Sequence, residues 1–167
     1  MKFENGMRVV YKNIGVCTVE DIETKSFDEV NDKQYYKLKP ISNNFTTYYY
    51  VPVDKSGEQI RNLFTKAEID DILKNTKDKD EIWINNSRER RMEFNKILKS
   101  DNYNQIIRMA KSLYHQKQEK QKQHKHLSSS DEMILNSAET LIFQEFSEVL
   151  GIQQNDVREY IISKVEQ

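Results

Sequence analysis

Proline stops at residue 52 in this chain of 167 residues. Both prolines, Pro40 and Pro52, and three of the four glycines, Gly6, Gly15 and Gly57, lie before residue 60, and only Gly151 lies beyond it. Proline fixes φ and has no amide to donate, so it belongs to turns and strand edges and breaks helix interiors. Glycine supplies turn conformations and weakens helices. The first sixty residues therefore carry the punctuation of a β module. The remainder is free to run in long helices.

The β-branched and aromatic runs follow the same partition. Met7 to Tyr11 is one candidate strand, closed by the Asn13-Ile14-Gly15 turn. Val16 to Glu23 is the next, and strict alternation places Val16, Thr18, Glu20 and Ile22 on one face and Cys17, Val19 and Asp21 on the other. Gln34 to Lys39 and Thr46 to Val53 follow, with Ser42-Asn43-Asn44 as the turn between them, and Ile60 to Phe64 is a fifth short strand. Five short antiparallel strands in so little chain predict a small barrel of SH3 or Tudor type over residues 1–64. So small a core gains from a neighbour.

From Thr65 the apolar period becomes helical. Thr65-Lys66-Ala67-Glu68 is a capping box that opens a helix to about Asn75. A second helix spans Ser87 to Lys99, and Ser100-Asp101 caps a third, whose stripe is Tyr103, Ile106, Ile107, Ala110, Leu113 and Tyr114. Its tail, Gln116 to Lys125, has no apolar residue and reads as a solvated helix end and loop. Ser129-Ser130-Asp131-Glu132 is a second capping box, starting a long helix that Gly151 ends. Val157, Tyr160, Ile161 and Val165 mark the last. The fold class is α+β: a Tudor/SH3-like barrel over 1–64, then an all-α domain of about five helices over 65–167.

Composition bounds the function. One cysteine, Cys17, rules out an internal disulfide framework and fits a reducing cytosol, and in its strand it reads as a small apolar core residue. There is no long apolar run, so neither a signal peptide nor a membrane span is expected, and the localisation read from the chain is cytoplasmic. His115, His124 and His126 have no accompanying ligand set, so no metal site is expected. No glycine-rich phosphate loop and no nucleophile motif stands out. The expectation is a protein that is no enzyme, with no cofactor and no small-molecule substrate.

The net charge of −1 hides segregation. Residues 86–126 carry eleven basic and four acidic side chains, whereas residues 127–167 carry two and eight. A basic middle between acidic flanks is a local footprint for a polyanion, although part of it would be ordinary solvated helix face. Trp83, the only tryptophan, stands just before Arg88, Arg90 and Arg91. A large ring beside arginines suits an apolar wedge against nucleic acid, with the arginines on phosphates. The bland alternative is a ring capping the edge of a helical core.

Taken in order, these residues resemble the CarD/CdnL family of bacterial transcription regulators. The resemblance runs from Phe3 and Gly6 through Val9-Val10-Tyr11, Gly15 and Ile22-Glu23-Thr24, then Tyr35-Tyr36-Lys37-Leu38 and Val51-Pro52-Val53. In the helical half it rests on Lys96 to Asp101 and Leu127 to Leu135. It implies a Tudor-like domain that binds the β subunit of RNA polymerase, like that of the transcription-repair coupling factor. It also implies a helical domain that meets promoter DNA, with little sequence preference, at the upstream edge of the melted bubble and alters open-complex stability.

By the resemblance, Lys25 and Phe27 fall at polymerase-binding positions, and Tyr50 replaces the arginine usual two residues before the Val-Pro proline. Alternation points Tyr48 and Tyr50 outward and Tyr49 and Val51 inward, so the outward pair is either plain strand surface or an aromatic interface patch. On the DNA side, Arg88 and Arg91 fall in register with phosphate-binding positions and Arg90 adds a third. The family's wedge tryptophan immediately precedes a Ser-Arg pair, but Asn86 precedes Ser87-Arg88 here. Either Trp83 reaches the groove by another path, or Asn86 takes the wedge position and Trp83 packs inside. The competing function is a protein-interaction adaptor that makes no DNA contact. A reader of methylated side chains is disfavoured, because Tyr48, Tyr49 and Tyr50 alternate faces and cannot line one cage.

Overall fold

Asn13 takes a left-handed φ of 68° and Gly15 one of 114°, and this reversal sets Tyr11 opposite Gly15 to begin an antiparallel sheet. The computed structural model describes residues 2–27, 31–42 and 47–166. The sheet comprises β1 (Arg8–Tyr11), β2 (Gly15–Lys25), β3 (Lys33–Pro40), β4 (Tyr49–Pro52) and β5 (Ile60–Asn62) in the order β4-β3-β2-β1-β5. Every neighbouring pair is antiparallel. The fourth strand starts later than the Thr46 expected, and Asn43, Asn44 and Thr46 lie outside the described residues. A 3₁₀ turn at Val53–Lys55 and a single-turn helix, α1 (Ser56–Gln59), join β4 to β5; the sequence reading had missed both.

Two compact units divide the chain, residues 1–63 and 64–167, each with its own core. In the first, Phe3, Val9, Cys17, Val19, Tyr36 and Leu38 are fully buried. The Tyr36 ring meets Phe3 edge-on at 5.6 Å, and its hydroxyl accepts from the Lys2 and Phe3 amides at 3.1 and 3.3 Å. The buried phenol is thereby satisfied, and the start of the chain is tied to β3.

Strict alternation fails at one point in β2. Val19 pairs with Leu38 and Ile22 with Tyr36, so three residues of β2 span two of β3. This bulge puts Ile22 on the same buried side as Val19, not the opposite side as expected. It also turns Glu23 and Lys25, which share parity with Cys17, to the outer surface. Bulges re-aim side chains in this way, and this one builds a surface considered below.

The second unit holds α2 (Lys66–Lys77), α3 (Ser87–Lys99), α4 (Tyr103–Lys122), α5 (Ser129–Leu150) and α6 (Gln154–Val165). Thr65 and Glu68 form the expected reciprocal capping box on α2. Two caps move. Asn102, not Ser100-Asp101, accepts from the Gln105 amide to start α4, because Ser100 closes α3 and Asp101 takes a left-handed φ of 57°. Ser128 caps α5 through the Asp131 amide, one residue before the expected box. The α4 helix continues through the polar tail to Lys122.

The core of this unit draws on all five helices, with Ile69, Phe94, Ile106, Leu135, Phe146 and Val157 among its buried members. Two acidic groups enter it unexpectedly. Glu145 is fully buried and accepts from the Phe64 amide at 2.9 Å, and Asp131 receives Arg90. No described helix is long and apolar enough to cross a membrane.

Candidate partner and nucleic-acid interfaces

On the first unit, the bulge and the strand register assemble one outer surface. Glu23 lies opposite Tyr35, and Lys37 opposite Tyr50. Lys25 and Lys37 both reach Glu23, at 3.0 and 3.1 Å. The Lys25 ammonium stands 3.8 Å from the Tyr50 ring centre, and that of Lys37 4.5 Å from Tyr48. Phe27, 63% exposed, meets Tyr35 edge-on at 5.0 Å and Tyr50 at 6.0 Å. The four residues singled out from the sequence, Lys25, Phe27, Tyr48 and Tyr50, therefore converge.

Their electrostatics follow from the contacts. Hydrogen bonds from Lys25 and then Lys37 hold the Glu23 carboxyl below its ordinary value. The Tyr50 hydroxyl, then Glu23, raises Lys25, and Glu23 raises Lys37. Two cations share one carboxylate and lean on rings, so the surface is mildly positive and largely aromatic. It suits a partner with apolar anchors and modest negative charge. Glu23, Tyr35 and Lys37 are the members the sequence reading missed. Cross-strand register would have revealed them, had the bulge been visible.

On the second unit, α3 separates its arginines. Arg88 and Arg91 are exposed, and their guanidinium groups make no ion pair among the described residues. Arg90 faces the other way, and its expected place beside them as a phosphate contact is corrected by its burial at 7% exposure. Its Nε and Nη2 donate to Asp131 at 3.0 and 2.8 Å, and its Nη1 to the carbonyls of Ile84 and Asn85 at 2.8 and 3.2 Å. The physical reason is helical spacing: Arg90 is one turn before buried Phe94, on the inward side. A buried bidentate pair with all three nitrogens engaged leaves little for a phosphate.

Arg90 also fixes Trp83. Its guanidinium covers the indole at 4.4 Å, and the ring meets Phe94 edge-on at 6.2 Å. Trp83 is half-buried against the helical core. Asn86 caps α3, its Oδ1 accepting from the Arg88 and Glu89 amides at 3.1 and 3.0 Å. Of the two arrangements left open by the sequence, Trp83 packs inward, while Asn86 is engaged in the cap.

The segment carrying Trp83 is fastened to α4 as well. Arg108 donates twice to the Asp80 carbonyl, at 2.9 and 2.7 Å, His115 Nδ1 pairs with Glu81, and Ser112 Oγ accepts from the Ile82 amide at 2.9 Å. The start of α3 is thus a rigid ledge, with Arg88 and Arg91 outward and Met92, 54% exposed, beside them. Met92 was missed because its place among charged residues gave no apolar pattern.

A Tudor-like β unit followed by a helical unit, each presenting exposed cationic side chains, defines a two-module binding protein. The chain belongs to the CarD family: residues 3–63 match the CarD-like/TRCF RID domain and residues 68–162 the CarD C-terminal domain. It is accordingly a transcription regulator that interacts with RNA polymerase, in a family whose domains are non-enzymatic. Comparison with curated proteins gives no match.

Proposed function

We propose that the β unit binds the β subunit of RNA polymerase through Lys25, Phe27, Tyr48 and Tyr50. In this reading the helical unit contacts promoter DNA near the upstream edge of the bubble and so changes open-complex lifetime. The observation that carries the DNA half is the pair Arg88 and Arg91, exposed and without an ion pair among the described residues, on a ledge otherwise held by buried contacts. Each phosphate neutralised adds about 0.9 to the salt slope of binding, with no sequence preference. Trp83 and Asn86 serve the same contact indirectly, the indole packed against Arg90 and the Asn86 side chain capping the helix that carries Arg88 and Arg91.

The test is Arg88→Glu with Arg91→Glu in the full chain. Open-complex lifetime should return to that of polymerase alone, while binding to the isolated polymerase β lobe stays within twofold. Unchanged lifetime would remove the DNA role and leave an adaptor acting through polymerase alone.

A further inference from the structure

Three contacts tie the start of α5 and the part of α4 up to Lys117 to the segment around the start of α3. Arg90 joins the start of α3 to Asp131 in the first turn of α5. Lys117, in the later part of α4, donates to Glu132 in that same turn at 2.6 Å. The Ile82 amide on Ser112 fixes the preceding segment to α4. Beyond Lys117 the helix runs on to Lys122 and closes with an ordered turn. There His124 takes φ 55° and the Lys125 amide returns to the Lys120 carbonyl at 2.8 Å.

These last turns bury nothing: from Gln118 to His126 every residue except Lys120 is exposed, and Lys120 is half-exposed. From Gln116 to His126 the sequence holds four lysines, one carboxylate (Glu119) and no apolar side chain. Lys122 meets Glu119 at 2.9 Å in an exposed pair of small worth. Lys120 and Lys125 make no ion pair among the described residues. Lysines do favour a helix C-terminus, but that accounts for the last turn rather than for a helix continued past its core. From Gln118 to Lys122 the exposed axis advances by about 6 Å at 1.5 Å per residue.

We propose that this lysine extension is a second contact to the phosphate backbone of duplex DNA, continuing from the arginine ledge. It rests on the DNA reading of Arg88 and Arg91. Its excess of positive charge, three lysines against Glu119 from Gln118 to His126, suits a duplex that carries one charge per about 1.7 Å of axis. An acidic protein surface is the poorer fit, because protein interfaces are anchored by aromatic and apolar side chains and this segment has none.

The experiment replaces Lys120, Lys122 and Lys125 with Gln together in the full chain. Glutamine keeps helix propensity close to that of lysine, and circular dichroism checks the fold. Affinity for a mixed-sequence duplex of about 30 base pairs, short enough to stay a stiff rod, is followed by anisotropy from low to moderate salt. The slope of log affinity against log salt should fall by about 2 to 3, at about 0.9 per phosphate. A triple Lys→Arg variant should retain the slope. An unchanged slope in the Gln variant, with binding lost in the arginine-pair variant, overturns the extension alone. No duplex binding by the unaltered chain at low salt overturns both readings. Loss of binding to an acidic polypeptide with the duplex slope intact reassigns the extension to a protein partner and likewise overturns the proposal.

Discussion

Arg90 shows what one residue can decide. Its neighbours Arg88 and Arg91 look equivalent to it in the sequence, yet it is the one enclosed by Asp131, two carbonyls and the indole of Trp83. Half of this was legible, because Arg90 precedes Phe94 by one helical turn and so shares its inward side. The other half was not: Asp131 lies far along the chain, and no local pattern announces a buried partner. Cys17 was the simpler case, a small side chain inside a strand. It is fully buried, and desolvation pushes its thiol from 9.0 up to about 12, only partly opposed by a backbone hydrogen bond. At pH 8 its thiolate fraction is then about a thousandfold below that of an ordinary thiol. An aromatic disulfide reagent should leave Cys17 unmodified in the native protein and label it completely in denaturant. Rapid native labelling would show that the sheet opens locally. The same shift makes its contribution to stability complete below pH 9.0, declining as the pH climbs toward about 12.

At the scale of elements, strands and helices were legible and their ends were not. The apolar period gave five helices in the second unit, while two N-caps moved because capping residues crowd each junction, Ser100, Asp101 and Asn102 at one and Ser128, Ser129 and Ser130 at the other, and compete for one role. Only backbone geometry chooses among them, as the left-handed φ at Asp101 does between α3 and α4. The bulge in β2 left only a faint sequence mark, two adjacent acidic residues, Glu20 and Asp21, where strict alternation would turn one to each face. It nevertheless decides which side Glu23 and Lys25 face. Gly151 was legible as a helix stop, and it has φ 68° with nothing within 4 Å of where a Cβ would stand. Gly151→Ala should therefore destabilise the protein by about 1 kcal/mol through backbone strain alone, read from the urea midpoint at constant slope. A loss several times larger would mean a steric clash instead.

At the scale of the molecule, the two candidate surfaces belong to separate units, so they should fail separately. Phe27→Ala removes the most exposed ring of the β surface and is expected to weaken polymerase binding about tenfold, near 1.4 kcal/mol. Its duplex affinity should match that of the unaltered chain when both are titrated side by side. A drop in both would mean that the surfaces are not independent. The division at residue 63 has a spectroscopic counterpart. Six of the nine tyrosines lie in the β unit and the sole tryptophan lies in the helical one, pressed between Arg90 and Phe94. Excited at its red edge, the protein therefore fluoresces from one place. The colour of that emission reports water around Trp83 and nowhere else, so DNA arriving at the neighbouring arginines can be followed in the unlabelled protein.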